Sequence, residues 1–89
     1  MRVIWKFPLF EYRSVIEVPR GATVLTLQTQ GANGCLWFDV PDHEAPFERR
    51  SFRIFGTGQP FPDDFIGKYI GTHQVANGAL VWHVYEEIR

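Results

Sequence analysis

No stretch of this chain repeats apolar residues at i, i+3, i+4 and i+7 over the length of a helix. Short β-branched and aromatic runs recur instead, with turn signals between them. That pattern fits strands and excludes a helical bundle. Seven strands are predicted: about Arg2–Phe7, Arg13–Val18, Thr23–Thr29, Cys35–Val40, Ser51–Phe55, Lys68–Gln74 and Ala79–Tyr85. Pro19-Arg20-Gly21 separates the second from the third, and Gly31-Ala32-Asn33-Gly34 the third from the fourth. Asn77-Gly78 lies between the last two, and Asn-Gly is a strong hairpin signal because a type I′ turn needs positive φ at both central residues. The fold class expected is all-β, a compact antiparallel sandwich or partly open barrel. Two connections are long: Pro41–Arg50, whose middle has the makings of a helical turn, and Gly56–Gly67. Small domains seldom carry such loops without using or pinning them.

The 89 residues suffice for one small domain spanning 1–89. A chain of this size buries only about 60–65% of its unfolded surface, so its core must be dense. Fourteen aromatic residues supply that density. The formal net charge is −1 and the pI is near 6.3, so the electrostatic footprint of a duplex-DNA binder is absent and nucleic acid is not expected as a partner. One cysteine, Cys35, leaves no internal disulfide framework and no cysteine-rich zinc site, and points to a reducing cytoplasm. No apolar run approaches the ~20 residues that cross a bilayer, so no membrane association is expected. The first residues include Arg2, Lys6, Glu11 and Arg13 without a small-residue cleavage site, unlike a signal peptide.

Several strands are apolar on both faces. Leu80, Trp82 and Val84 oppose Val81, His83 and Tyr85; Val3, Trp5 and Phe7 oppose a face with Ile4; Leu36, Phe38 and Val40 oppose one with Trp37. A sandwich needs one apolar face per strand. The second must be covered by the long loops, by the chain ends, by another subunit or by a ligand or partner. Trp37, Phe55, Phe61, Phe65 and Tyr85 are the candidate contact residues for a protein partner.

Candidate chemistry is sparse. If Asn77-Gly78 closes a two-residue hairpin, Ala76 faces Ala79, Thr72 faces His83 and His73 faces Trp82. The two histidines then point to opposite faces and do not share a metal. Cys35 reads as a buried thiol, and Ser14 and Ser51 lack the context of a nucleophile elbow. Asp63-Asp64 and Glu86-Glu87 read as solvated carboxylates. No catalytic residue, metal or cofactor is therefore expected. Gly56-Thr57-Gly58 carries more interest. It can present backbone N–H groups as an anion nest. Arg50, Arg53 and Lys68 stand beside it, able to hold a small anionic ligand such as phosphate, with Phe55, Phe61 and Phe65 near enough to stack on a base. The competing reading has the glycines making a bend and the arginines pairing with nearby carboxylates.

Taken in order, Trp5-Lys6-Phe7-Pro8-Leu9, Pro19-Arg20-Gly21-Ala22, Leu36-Trp37, Arg50-Ser51-Phe52-Arg53-Ile54-Phe55-Gly56-Thr57-Gly58, Tyr69-Ile70-Gly71-Thr72 and the run from Gly78 to Glu86 resemble a family of small uncharacterised proteins of phage, prophage and bacterial genomes. The resemblance covers nearly the whole chain. It implies a viral or integrated-element context and carries no catalytic residue over.

Four function classes follow. The first is a non-enzymatic binding protein, encoded by a phage or prophage, that acts on a host protein in the bacterial cytoplasm, for instance as an inhibitor of defence. The second is an oligomeric binder or sequestering protein for a small nucleotide-like ligand. The third is a structural subunit of a larger assembly, and the last an enzyme such as a hydrolase or transferase. Self-association into a homo-oligomer is expected of the domain.

Overall fold

The structure is a computed structural model describing residues 1–10 and 12–88. Seven strands form two antiparallel sheets: β1 (Val3–Leu9), β2 (Arg13–Pro19), β3 (Thr23–Gln30), β4 (Asn33–Val40), β5 (Phe47–Gly56), β6 (Gly67–Val75) and β7 (Leu80–Glu87). One sheet has the order β1-β4-β3 and the other β2-β5-β7-β6, and the two are not closed into a barrel. The all-β expectation therefore holds as a two-sheet sandwich.

The core lies between the sheets. Leu36, Phe38 and Val40 of β4 face Ile16 and Val18 of β2, Phe52 and Ile54 of β5 and Val84 of β7 in one buried cluster. Phe38 meets Phe7 edge-on at 5.4 Å between centroids and Phe52 at 6.1 Å. In β1, β4 and β7 the buried residues belong to one of the two apolar faces that alternation separates, and burying that face fixes the register.

The last hairpin keeps the expected register: Thr72 opposes His83 and His73 opposes Trp82. Asn77 and Gly78 take φ of 55° and 86°, and the Ala79 N–H donates to the Ala76 carbonyl. Ala76 also has positive φ, so the ladder ends at Val75↔Leu80 rather than at Ala76 and Ala79.

Every strand differs from the sequence reading by at least one residue at an end, and three of the differences change a connection or an edge. β1 runs through Pro8, which an edge strand tolerates because its missing N–H would face away from the sheet. β4 begins at Asn33, leaving Gly31-Ala32 as a tight connection. β5 begins at Phe47, so residues 47–50 of the supposed 41–50 loop are strand, and the remainder holds a turn closed by Ala45 N–H on the Asp42 carbonyl.

The loop of residues 57–66 covers the outer face of the four-stranded sheet. Phe61 stacks on Phe55 at 3.9 Å and 14°, and Phe65 meets Phe55 edge-on at 5.2 Å. Tyr85 packs against all three rings. Phe55 is left 1% exposed. Of the coverings considered for the second apolar face, the loop is the one in place on this sheet. The outer face of the smaller sheet has no such cover: Ile4 is 65% and Leu25 51% exposed beside half-buried Trp37.

Candidate functional site

The basic residues beside the glycine loop do not converge. Arg50 lies on the inward side of β5. Its Nε and Nη2 donate to Glu86 at 2.7 Å each, its Nη1 donates to the Ala22 carbonyl, and its guanidinium lies 5.3 Å from the Phe38 ring. The hydrogen bonds to Glu86 raise its pKa above the usual arginine value. Arg53 lies on the outward side, within 3.5 Å of Glu87 and over Phe55 and Phe65. Lys68 stands opposite Glu86 at the β6 edge. Three cations that a single phosphate would need are thus spread over two faces, and the arginines are paired with carboxylates.

The glycine loop is also occupied. The Gly56 N–H donates to Gln59 Oε1 and the Gln59 N–H returns to the Gly56 carbonyl, so Gly56 offers no amide to an anion. Gly58 takes φ of 84°, the bend that glycine permits. Thr57 Oγ1 shares a hydrogen bond of 2.8 Å with His83 Nε2, and His83 Nδ1 one of 3.0 Å with Thr72 Oγ1, which reaches the Tyr69 hydroxyl at 2.6 Å. A hydroxyl next to an imidazole is the start of a nucleophilic arrangement. Here the imidazole's far side meets a neutral hydroxyl, which stabilises an imidazolium less than a carboxylate does. What the chain of contacts does is fasten the start of the loop to β6 and β7.

The five aromatic candidates are likewise distributed. Phe55, Phe61, Phe65 and Tyr85 form one cluster under and within the loop, and only Phe61 among them is substantially exposed, at 42%. Trp37 lies on the other sheet between Lys6 and Thr26. Cys35 is buried on the same strand. Among the described residues no group of three or more His, Cys, Asp and Glu side chains is placed to hold a metal, and no helix is long and apolar enough to cross a membrane.

One concave feature was not identified from the sequence. At one end of the sandwich a cleft of about 290 Å3 opens between the link after β1, the start of β4 and the β6–β7 pair. Its walls include Leu9, Tyr12, Asn33 and Trp82, with His73 in its lining. Tyr12 meets Trp82 edge-on at 5.8 Å. Phe10 and Tyr12 border the opening and are 72% and 65% exposed.

His73 is 7% exposed, and its Nδ1 is buried without a hydrogen-bond partner among the described residues. Burial lowers its pKa below the usual histidine value, so the neutral ring dominates at pH 7. Gly34 makes room for that ring: a Cβ there would fall 2.6 Å from both Cε1 and Nε2. A cleft lined mainly by apolar and aromatic groups can take a flat apolar or aromatic group. The available signal was the register, which sets His73 against Trp82; the approach of Tyr12 and Gly34 from distant segments left no local trace.

A family model matches residues 1–89 throughout, that of a domain of unknown function, DUF7352. The chain belongs to the DUF7352 family. The uncharacterised family that the sequence resembles is to that extent shown. No curated protein and no solved structure matches this DUF7352 chain.

Proposed function

We propose that this DUF7352 protein acts by binding a protein partner, without catalysis, and that the cleft beside His73 receives an aromatic side chain of that partner. The observation carrying the reading is the exposure of Phe10 and Tyr12 at the mouth of an apolar cleft. Exposed aromatics around a small pocket are the usual form of an interface hot spot. The aromatic and apolar lining, with Tyr12, Trp82 and the His73 ring, suits a tyrosine or tryptophan as that anchor. The sequence resemblance extends the reading to a phage or prophage product that engages a host protein in the bacterial cytoplasm. Inhibition of a defence component is one form of that role.

The test is a photocrosslinking phenylalanine analogue at position 10, expressed in bacteria. One discrete host protein should be captured, and capture should fall when Trp82→Ala opens the cleft wall. In parallel, indole and p-cresol titrated against the purified protein should shift the His73 imidazole resonances. No host adduct and no shift by either compound would overturn the reading. A retained nucleotide-sized mass in native mass spectrometry would favour the sequestering alternative instead.

A further inference from the structure

The strand β2 lies at one end of its sheet and, among the described residues, pairs with β5 alone. The Ile54 N–H donates to the Tyr12 carbonyl at 2.8 Å, and the Arg20 N–H donates to the Pro46 carbonyl at 2.9 Å. Both pairs fall in the register of Arg13↔Arg53 and Glu17↔Arg49. In an antiparallel ladder successive residues turn their backbone groups to opposite sides. Even-numbered residues of β2 therefore address β5. The N–H and C=O groups of Arg13, Val15 and Glu17 address the open edge. Pro19 agrees, since it has no N–H to give and follows the odd series. A groove of about 450 Å3 runs along this strand between Phe7 and Phe10 on one side and residues 13–17 on the other.

We propose that this edge pairs with the β2 edge of a second copy of the chain, antiparallel and two-fold about Val15. The two-fold axis sets Val15 against Val15 of the second copy and Arg13 against Glu17 of the second copy, twice. All three side chains lie on the outer face of the sheet, and Val15 is 50% exposed. Opposite charges directly across a strand pair stabilise it, and like charges oppose it. The edge is thus self-complementary in charge, as an isologous contact requires. Six backbone hydrogen bonds join residues 13, 15 and 17 of the two copies. Pro19 ends the ladder, so pairing closes at two copies. The product is one sheet of eight strands, β6-β7-β5-β2 continued through its own image.

The intramolecular ion pairs of these side chains do not compete strongly. Glu17 lies 3.5 Å from Arg49 with both side chains exposed, where such a pair contributes little. Arg13 reaches the largely buried Glu87 at 3.0 Å, but Glu87 keeps Arg53 as a second partner when Arg13 turns to the other copy.

The experiment is sedimentation of the full chain between about 1 µM and 1 mM, the span of weak to moderate association. The wild type should move with concentration from 10.3 kDa toward twice that mass. R13E puts carboxylates at both contact positions and E17R puts guanidinium groups at both; each alone should remain monomeric where the wild type is dimeric. Mixed one to one, they are complementary in this register and should form a heterodimer. V15P removes an N–H that serves only the open edge, and it should give a folded monomer by circular dichroism. A wild type that stays monomeric to about 1 mM would overturn the proposal. So would a dimer indifferent to all three variants, or folded single variants that fail to combine.

Discussion

Arg50 and Glu86 form a fork of two hydrogen bonds, each 2.7 Å, between adjacent strands and facing the core. Their side chains are 16% and 18% exposed. Removing one partner leaves the other partly desolvated and unpaired. Arg50→Met should lower unfolding stability by about 2–3 kcal/mol, less than a fully buried pair because water reaches both groups. Arg50→Met with Glu86→Leu should recover part of that loss. Urea denaturation of the two variants measures both. A wild-type stability in Arg50→Met would mean that the fork contributes nothing.

Gly34 and His73 are linked by shape. Gly34→Ala should cost about 1–3 kcal/mol, since the new methyl meets the imidazole and neither strand can yield freely. Gly34→Ala with His73→Ala should be more stable than Gly34→Ala alone. Thermal melts of the pair decide it, and a double variant no better than the single would place the strain elsewhere.

His73 also sets a pH dependence. Its native pKa is lowered by burial, so the unfolded chain binds the proton more readily. Stability should then fall as pH drops below about 6.5, the unfolded value, and level off below the native one. The slope is at most about 1.4 kcal/mol per pH unit for one proton. In His73→Leu that component should vanish, leaving a flatter profile between pH 7 and 5. Denaturant titrations across this range provide the readout.

The cover over Phe55 is open to a similar test. Phe65→Ala should cost about 2–4 kcal/mol and bring protease cleavage within residues 57–66. Thr57→Ala, which releases only the hydroxyl held by His83, should cost about 1 kcal/mol and leave the rest of the cover in place. Limited proteolysis followed by mass spectrometry separates the two.

Much of the architecture is visible in the linear chain where it depends on local signals. The register of β6 on β7 follows from Asn77-Gly78. Alternation separates the two faces of β1, β4 and β7, but both are apolar, so which one turns inward does not show. The extension of β5 through Glu48, Arg49 and Arg50 does not show, because those polar residues carry no apolar alternation. Arg50 turns inward because Glu86, 36 positions away, meets it there. For the same reason Arg50, Arg53 and Lys68 look like one basic cluster in sequence and belong to separate contacts in space. Phe61 and Phe65 read in the sequence as contacts for a base or a partner; in the structure they pack on Phe55 and hold the loop down. The cleft is the opposite case, since Leu9, Gly34, His73 and Trp82 have no common motif.

The order of strands also bears on how the chain is made. Among the described residues β1 pairs only with β4, and β2 only with β5. A growing chain at about 5–20 residues per second leaves β1 waiting roughly 2–6 s for its partner to be synthesised. During that time Val3, Trp5 and Phe7 stay bare. Lys6, Pro8 and Pro19, set within those waiting strands, are residue types that discourage pairing with a neighbouring nascent chain. The first two strands thus carry, in their own composition, the protection that the delay in synthesis requires.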